Sequence, residues 1–252
     1  MVKRALWVAI PIFVVGLLAR LPASVALGWF LPDQIQTRGI QGTIWSGTIG
    51  AVSVDGLGIG PVQWKLAPLA LLTGRAKARI ETQLPGGFFD GTVSASLTGR
   101  IVAQNLRAQI DLAPLTRNAS MGPSRGIARA SAARLEIEQQ WPVSVSDGVL
   151  ELRELTYLGI GTQPLGSHRI TFAEPENDSE FPVTGVIETL EGAFDVNATL
   201  RLATDSRYEL TGTVALTNEA PQRLKQQISV ALGQPDAAGR FRLDERGVLI
   251  DP

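Results

Sequence analysis

The feature that most constrains the fold of this chain is a regular alternation of apolar and polar residues. The alternation runs over four segments of roughly ten residues each, at 76–84, 93–101, 194–202 and 208–216. In the first of them, Ala78 and Ile80 alternate with Lys77 and Arg79. A period of two puts the apolar side chains on one face of a β-strand and the polar ones on the other. The pattern therefore predicts long strands, each with one buried and one solvated face.

Tight-turn sequences separate the predicted strands. Pro85-Gly86-Gly87, Asp147-Gly148 and Glu191-Gly192 each supply a short reversal of the chain. Because connections this short join antiparallel rather than parallel neighbours, we predict a mainly β fold, built as one curved antiparallel sheet. The sequence Leu-Gly-Ile-Gly at 57–60 returns at 158–161, so an arrangement in two similar halves is also open.

Two short helices are predicted beside the sheet. The first covers 68–73 and ends before Gly74, a residue that suits a left-handed C-terminal cap. The second covers 221–232, where Leu224 and Ile228 fall on one face. Each helix has two interpretations: it covers an apolar end of the sheet, or it docks a partner.

A single long apolar run lies near the N-terminus. Residues 5–19 are uncharged and follow two basic residues. As a helix this run spans roughly 22 Å, short of the about 30 Å of a bilayer core, but apolar residues resume after Arg20. We therefore predict a single transmembrane helix with an interfacial segment over 5–31. A cleaved signal sequence with a site at Ser24-Val25-Ala26 is the weaker alternative, because Arg20 follows the apolar run directly.

The basic residues before the run orient the chain. Because Lys and Arg concentrate on the cytoplasmic side of membrane proteins, 1–4 is predicted to be cytoplasmic, and the body after the anchor to lie in the periplasm of a bacterial cell. The stretch 118–129 lacks periodicity, and we interpret it as a loop or linker. This division gives a first periplasmic β-unit over 32–117 and a second over 130–252.

Composition excludes several classes of function. The formal net charge is -1, from 23 Lys and Arg against 24 Asp and Glu, so the chain lacks the basic excess of a nucleic-acid-binding protein. It contains no cysteine, which excludes disulfides and thiolate metal sites. We expect no nucleic-acid partner.

The sequence contains no catalytic or metal-binding pattern. Its one histidine, His168, has no second imidazole or thiol to complete a metal site, and we interpret it as an ordinary strand or turn residue. Nucleophile-elbow, zinc-helix and phosphate-loop motifs are missing. The acidic stretch 173–180 matches no calcium-binding loop and is interpreted as a solvated turn. We therefore predict that the protein is not an enzyme and holds no cofactor or metal.

Several short sequences follow one another along the chain. They are Arg20-Leu21-Pro22-Ala23, Gly42-Thr43-Ile44-Trp45-Ser46-Gly47, Val62-Gln63-Trp64-Lys65-Leu66, the stretch 68–74 and Gly239-Arg240-Phe241-Arg242-Leu243. Their order and spacing resemble those of the general secretion pathway protein N family of type II secretion systems, over nearly the whole chain. The residues that carry the resemblance are Arg20, Pro22, Gly42, Thr43, Trp45, Gly47, Trp64 and Gly74.

This resemblance implies a non-enzymatic accessory protein with one inner-membrane segment and a periplasmic β-rich body. Such a protein makes protein contacts while folded proteins are exported across the outer membrane. The partners it implies are the inner-membrane protein C and the outer-membrane secretin of the system. It also implies that Trp45 and Trp64 are structural anchors, in keeping with the room that neighbouring glycines leave for an indole ring.

The same pattern resembles, more distantly, the AsmA-like β-groove proteins that bind or transfer lipid. An alternating sheet has one apolar face whether that face is closed over a core or open to acyl chains, so the residues alone leave both functions open. More apolar strand positions than the two helices can cover would favour the groove. A purely structural periplasmic spacer, with neither partner nor lipid, is a third hypothesis.

Overall fold

The protein is built on one large antiparallel β-sheet with short helices beside it. The computed structural model describes residues 16–17, 20–30, 35–54, 57–84, 86–116, 124–157, 164–175, 179–220 and 233–248, together with 224, 228 and 230. The strands are β1 (Ile35–Gly42), β2 (Ser46–Val54), β3 (Leu57–Ile59), β4 (Val62–Leu66), β5 (Arg75–Leu84), β6 (Gly87–Ser96), β7 (Ile101–Asp111), β8 (Ser124–Glu138), β9 (Trp141–Ser146), β10 (Val149–Tyr157), β11 (Pro164–Phe172), β12 (Val183–Glu191), β13 (Phe194–Leu202), β14 (Arg207–Leu216) and β15 (Arg240–Val248). The helices are α1 (Ala23–Phe30), α2 (Pro68–Leu71) and α3 (Leu112–Thr116).

The sheet follows the chain as a meander. Its order is β1-β2-β4-β5-β6-β7-β8-β10-β11-β12-β13-β14-β15, with β3 added to β2 and β9 added to β8. Neighbouring strands are antiparallel, from the β1–β2 pair to the β14–β15 pair. The prediction of one antiparallel sheet is confirmed. The described strands form a single continuous sheet rather than two separate halves.

Three of the four alternating segments are strands where the pattern placed them, in β5, β13 and β14. The fourth prediction, one strand over 93–101, is wrong. β6 ends at Ser96, and Leu97 in the following turn is 94% exposed. The backbone N–H of Ser96 donates to the carbonyl of Arg100 at 3.0 Å, and Gly99 has a φ of +83°. A tight hairpin turn at a glycine therefore interrupts the apparent alternation.

The predicted loop over 118–129 overlaps a strand. β8 begins at Ser124 and pairs with β7 on one side and β10 on the other, which corrects the loop assignment for 124–129. The first part of β8 is rich in alanine and glycine, whose small side chains give a weak alternation signal. Residues 118–123, like the repeat at 158–161, lie outside the described residues. Helix α3, just before this stretch, was not predicted.

The largest cluster of buried side chains lies on one face of the C-terminal half of the sheet, which we call the inner face. Its members are Ala132, Trp141, Val145, Val183 and Leu202, with Leu106, Leu135, Phe172, Leu200 and Tyr208 packed around them. The indole N–H of Trp141, at the start of β9, donates to the carbonyl of Ala203 at 2.6 Å. Ala203 follows β13, which is several strands away in the pairing order. The contact therefore requires the sheet to curve.

The predicted helix over 221–232 covers an end of the sheet. Leu224 and Ile228 are both helical, whereas most of this stretch lies outside the described residues. Leu224 is 4% exposed and packs with Ala193 and Ala220, and Ile228 packs against this group. For its described residues, the covering interpretation of this helix is confirmed.

The N-terminal part of the chain joins the sheet through a turn at Arg20. Helix α1 follows, contacts β1 and buries Ala23 and Ala26 to 1% and 3% exposure. In the part of the chain that the structure describes, no helix has the length and apolar character required to cross a membrane. Of the predicted anchor over 5–31, residues 5–15, 18–19 and 31 lie outside the described residues.

Candidate functional site

Most of the residues that carry the family resemblance meet at one corner of the sheet. We call it the N-terminal corner, and it consists of residues 20–22, the β1–β2 connection at 42–47 and the end of β4 at 64–66. Pro22 forms an isolated antiparallel bridge with Thr43. The backbone N–H of Ile44 donates to the carbonyl of Leu21 at 3.0 Å. The segment that follows Arg20 is thus hydrogen-bonded to the first hairpin.

Two glycines allow close packing at this corner. Gly42 has a φ of +96°, in the left-handed region that favours glycine. Gly47 lies opposite it in the β1–β2 pair. A Cβ on Gly47 would come within 2.5 Å of Cζ2 of Trp64, so the indole ring lies directly on bare backbone. No larger residue than glycine fits beneath this ring.

Two hydrogen bonds fix the Trp64 side of the corner. The indole N–H of Trp64 donates to the carbonyl of Ile44 at 3.1 Å. The backbone N–H of Leu66 donates to the carbonyl of Trp45 at 2.7 Å. Both bonds join the end of β4 to the β1–β2 connection. This geometry supports a structural role for Trp64.

Gly74 lies apart from the corner, after helix α2. Its φ of +71° agrees with the predicted left-handed cap. A Cβ on Gly74 would lie 3.9 Å from Cδ1 of Leu97, so the turn after α2 adjoins the β6–β7 hairpin. Helix α2 buries none of its residues. The interpretation that α2 covers an apolar end of the sheet is therefore wrong.

The inner face of β4, β5 and β6 is apolar and only half-buried. We call this surface the open strip, and its residues are Val62, Trp64, Leu66, Ala78, Ile80, Leu84, Phe89 and Val93. The strand register places Trp64 beside Ile80 and Leu66 beside Ala78, so these side chains form a continuous surface. An apolar surface of this kind is better suited to binding an apolar ligand than to catalysing a reaction.

The outer face of the sheet carries ion pairs between neighbouring strands and within one strand. Asp90 accepts from Arg79 at 2.9 Å and from Arg107 at 2.6 Å. Glu151 pairs with Arg169 at 2.8 Å and with Arg153 at 3.0 Å, and hydrogen bonds from these two guanidinium groups lower the pKa of its carboxyl. Sequence reasoning missed these networks because they depend on strand register. Exposed pairs of this kind contribute little to stability.

His168 and Ser167 do not form a catalytic pair. His168 lies on the inner face and is 8% exposed, and its Nδ1 lies 3.2 Å from Oγ1 of Thr189. Burial lowers the pKa of its imidazole. Ser167, which precedes His168 in β11, is 3% exposed, and its Oγ donates to Glu191 at 2.9 Å and accepts from the backbone N–H of Glu154 at 3.1 Å. The geometry agrees with the interpretation of His168 as an ordinary strand residue.

Acidic side chains gather at the end of the sheet opposite the N-terminal corner. A cavity of about 810 Å³ there is lined by polar residues that include Asp111, Arg125, Glu154, Glu191 and Glu219. Within the described ranges, no cluster of His, Cys, Asp or Glu side chains has the arrangement of a metal site. In the predicted solvated turn at 173–180, Glu180 pairs with Arg207 at 3.0 Å, and 176–178 lie outside the described residues.

The sequence matches a family model and a curated relative. The model describes protein N of the type II secretion system and matches residues 33–244. The chain is 28% identical over 251 residues to type II secretion system protein N of Vibrio cholerae, an alignment that covers 94% of this chain and 95% of that protein. No solved structure matches the chain. Since the family match includes nearly the whole sheet, this chain belongs to the type II secretion system protein N family.

Proposed function

We propose that this protein is a non-enzymatic accessory component of the type II secretion system that makes protein contacts in the periplasm while folded proteins are exported. The observation that carries the proposal is the extent of the family match, from residue 33 to residue 244. That range contains β1 to β14 and part of β15, so the match concerns the whole sheet rather than one motif.

The proposed placement is a single pass through the inner membrane by the N-terminal apolar segment, with the sheet in the periplasm. The basic residues before 5–19 support this orientation. Retention of the segment is supported by α1, because Ala26 of the alternative cleavage site at Ser24-Val25-Ala26 is buried in this helix.

The proposed partners are the inner-membrane protein C and the outer-membrane secretin. A contact role is supported by the outer face, whose ordered rows of charged side chains on β5 to β8 offer complementary surfaces for other proteins. A non-enzymatic role is supported by the partners of Ser167 and His168, whose side chains contact Glu191 and Thr189.

The proposal is tested by deleting the gene and restoring the full chain in the same strain. We expect export of a folded substrate to fall on deletion and to return with the full chain. A periplasm-dependent reporter fused after Val248 should be active, and mild crosslinking should retain protein C or the secretin with the full chain. Unchanged export after deletion, with no crosslinked component, would contradict the role.

A second candidate function is lipid binding, and the open strip favours it. The apolar residues of the strip are half-buried, and α2 buries none of its own residues. Half-buried apolar side chains in a continuous row suit an acyl chain. In this case the protein would bind or transfer phospholipid in the periplasm, as AsmA-like grooves are understood to do.

Native mass spectrometry of the full chain, purified in a mild detergent, separates the two functions. Retained phospholipid that is lost in the Ile80→Asn variant would favour lipid binding. Gln83→Asn is the matched control, because Gln83 lies on the outer face of the same strand and is exposed. If the unmodified protein retains no phospholipid, lipid binding is contradicted and the protein-contact role remains.

A further inference from the structure

One end of the sheet carries large apolar side chains that are almost fully exposed. Leu69 of α2 is 78% exposed, Leu72 after it is 84% exposed, and Leu97 in the β6–β7 hairpin is 94% exposed. Leu71 is 43% exposed. We call these four residues the leucine end. Several large apolar side chains exposed at one end of a sheet mark an interaction surface.

These leucines are carried by two protrusions, which are α2 with the turn after it and the β6–β7 hairpin. The two protrusions adjoin each other. A Cβ on Gly74 would lie 3.9 Å from Cδ1 of Leu97, so the turn after α2 lies beside the tip of the β6–β7 hairpin. The backbone N–H of Ala67 donates to the carbonyl of Lys77 at 2.7 Å, which fixes the start of α2 over β5. Helix α2 follows the end of β4 and the hairpin turn follows the end of β6, so both protrusions lie beyond the ends of their strands.

The leucine end lies where the N-terminal apolar segment joins the body. Leu66, just before α2, is hydrogen-bonded to Trp45 of the N-terminal corner, and Pro22 is bridged to Thr43 of the same corner. The uncharged run over 5–19 ends one residue before Arg20. Arg20, which follows the apolar run in the sequence, and the leucines therefore lie at the same end of the sheet.

The charged residues that flank α2 on β4 and β5 are positive, whereas Arg100 in the β6–β7 hairpin is paired with Glu136 and Glu138 of β8. Between Asp55 and Glu81 the sequence has no acidic residue, and between Asp90 and Asp111 it again has none. Lys65 and Arg75 are exposed, and in the described part of the chain neither forms an ion pair with a carboxylate. Each lies at the end of a strand, closer to the sheet than the leucines. This order, apolar tips outermost and cations behind them, is that of an interfacial membrane anchor.

We propose that the leucine end is a membrane-docking surface that rests in the headgroup region of the bilayer leaflet from which the N-terminal segment emerges. The leucine side chains insert at the acyl boundary, while Lys65 and Arg75 contact anionic lipid phosphates. This inference rests on the proposed anchoring of the chain. It adds a second, independent membrane contact that holds the sheet upright, with the end near Asn218 farthest from the bilayer.

The test uses the absence of cysteine from the chain. A single cysteine is introduced by Leu97→Cys, labelled with an environment-sensitive nitrobenzoxadiazole dye, and the full chain is reconstituted in vesicles of phosphatidylethanolamine and phosphatidylglycerol. Asn218→Cys, an exposed position at the opposite end of the sheet, is the matched control. Lipids brominated near the top of the acyl chain act as quenchers, and flotation measures the vesicle-bound fraction.

The expected result is that the Leu97 label loses most of its emission with brominated lipid, whereas the Asn218 label keeps its emission. In a Lys65→Glu, Arg75→Glu background, quenching at Leu97 should fall while flotation is unchanged. Vesicle-bound protein with neither label quenched would overturn the docking surface and leave the anchor intact. Equal quenching of both labels would also overturn it.

Two further outcomes contradict the inference in other ways. Failure of the full chain to float with vesicles would overturn the proposed anchor together with the docking surface. A label at Leu97 that is unquenched by lipid, but is crosslinked to an envelope protein in cells, would assign the leucine end to a protein partner instead.

Discussion

The inner face of the sheet is buried to different extents in the two halves of the molecule. In β8 to β15 this face is closed, with buried apolar residues on nearly every strand: Ala132, Trp141, Val145, Ile170, Val183, Ala198, Leu202, Val214 and Phe241. In β1 to β7 the buried apolar strand residues, among those whose side chains the structure describes, are Ile49 and Ala103. Both halves show the same alternation, so the difference arises from tertiary packing and not from the pattern of any one strand.

The closed half owes its packing to one strand that leaves the main order. β9 pairs with the end of β8 and brings Trp141 across to Ala203, where a 2.6 Å hydrogen bond fixes the ring. In the described part of β1 to β7 no side chain spans the inner face in this way. The first half can therefore offer its apolar face to a ligand, while the second supplies the rigidity that such an open surface lacks.

The largest expected effect is the loss of this bridge. Trp141→Ala should lower the free energy of unfolding by about 3–5 kcal/mol, because it removes a buried ring at the centre of the core. Trp64→Ala should cost less, about 1–2 kcal/mol, because the Trp64 ring is half exposed. Urea titration of the purified full chain measures both. Trp141→Phe, which keeps an aromatic ring without the N–H, is the control, and equal losses for Trp141→Ala and Trp64→Ala would contradict the difference between the halves.

Two isoleucines on the inner face, one in each half, allow the halves to be compared with the same substitution. Ile170 in β11 is 9% exposed, and Ile170→Ala should cost about 2–4 kcal/mol. Ile80 in β5 is half-buried, and Ile80→Ala should cost about 1–2 kcal/mol because part of the side chain is already in water. The same denaturation measurement applies. A larger loss at Ile80 would show that a covering segment closes the open strip.

A glycine pair tests the packing of the N-terminal corner. Gly47→Ala should lower stability by about 1–3 kcal/mol, because its Cβ would overlap the Trp64 ring. Gly58→Ala in the neighbouring β3 is the control, since a Cβ there meets nothing within 4 Å. Thermal melts followed by circular dichroism compare the two. Equal midpoints would mean that the ring of Trp64 is free to move aside.

The smallest expected effect is a pH dependence in the closed half. Burial lowers the pKa of His168, so the unfolded chain binds a proton more readily than the folded one. Stability should therefore fall as the pH drops below about 6.5, the pKa of an unfolded histidine, with a slope of at most about 1.4 kcal/mol per pH unit. The slope is measured as the difference between unmodified protein and His168→Gln in urea titrations at several pH values. Parallel curves would contradict the burial of this imidazole.

The strands were the most predictable part of the molecule. In β5, β13 and β14 the alternation was long and uninterrupted by a turn, and the structure agrees. The segment over 93–101 misled because Leu97 and Ile101 keep the apolar period across a hairpin turn, so that periodicity alone could not reveal Gly99 as a turn residue. The start of β8 was missed because alanines carry little of the apolar signal.

The long-range features could not be derived from the sequence. The contact of Trp141 with Ala203 joins residues far apart in the chain and depends on the curvature of the sheet. The N-terminal corner was predicted only in part. The resemblance identified Gly47 and Trp64, but their contact depends on strand register. The choice between a covering and a docking role for α2 was left open, since a leucine-rich turn has the same sequence in either role.

Hydrogen exchange of the full chain, followed strand by strand by mass spectrometry, tests the contrast between the halves most directly. We predict that amides of β9, β12 and β13 exchange slowest, because their opening requires the Trp141 core to break, and that amides of β4 and β5 exchange faster. Trp141→Ala should remove this difference by accelerating exchange in the C-terminal half alone. Equal protection in both halves of the unmodified protein, or stronger protection of β4 and β5, would contradict it.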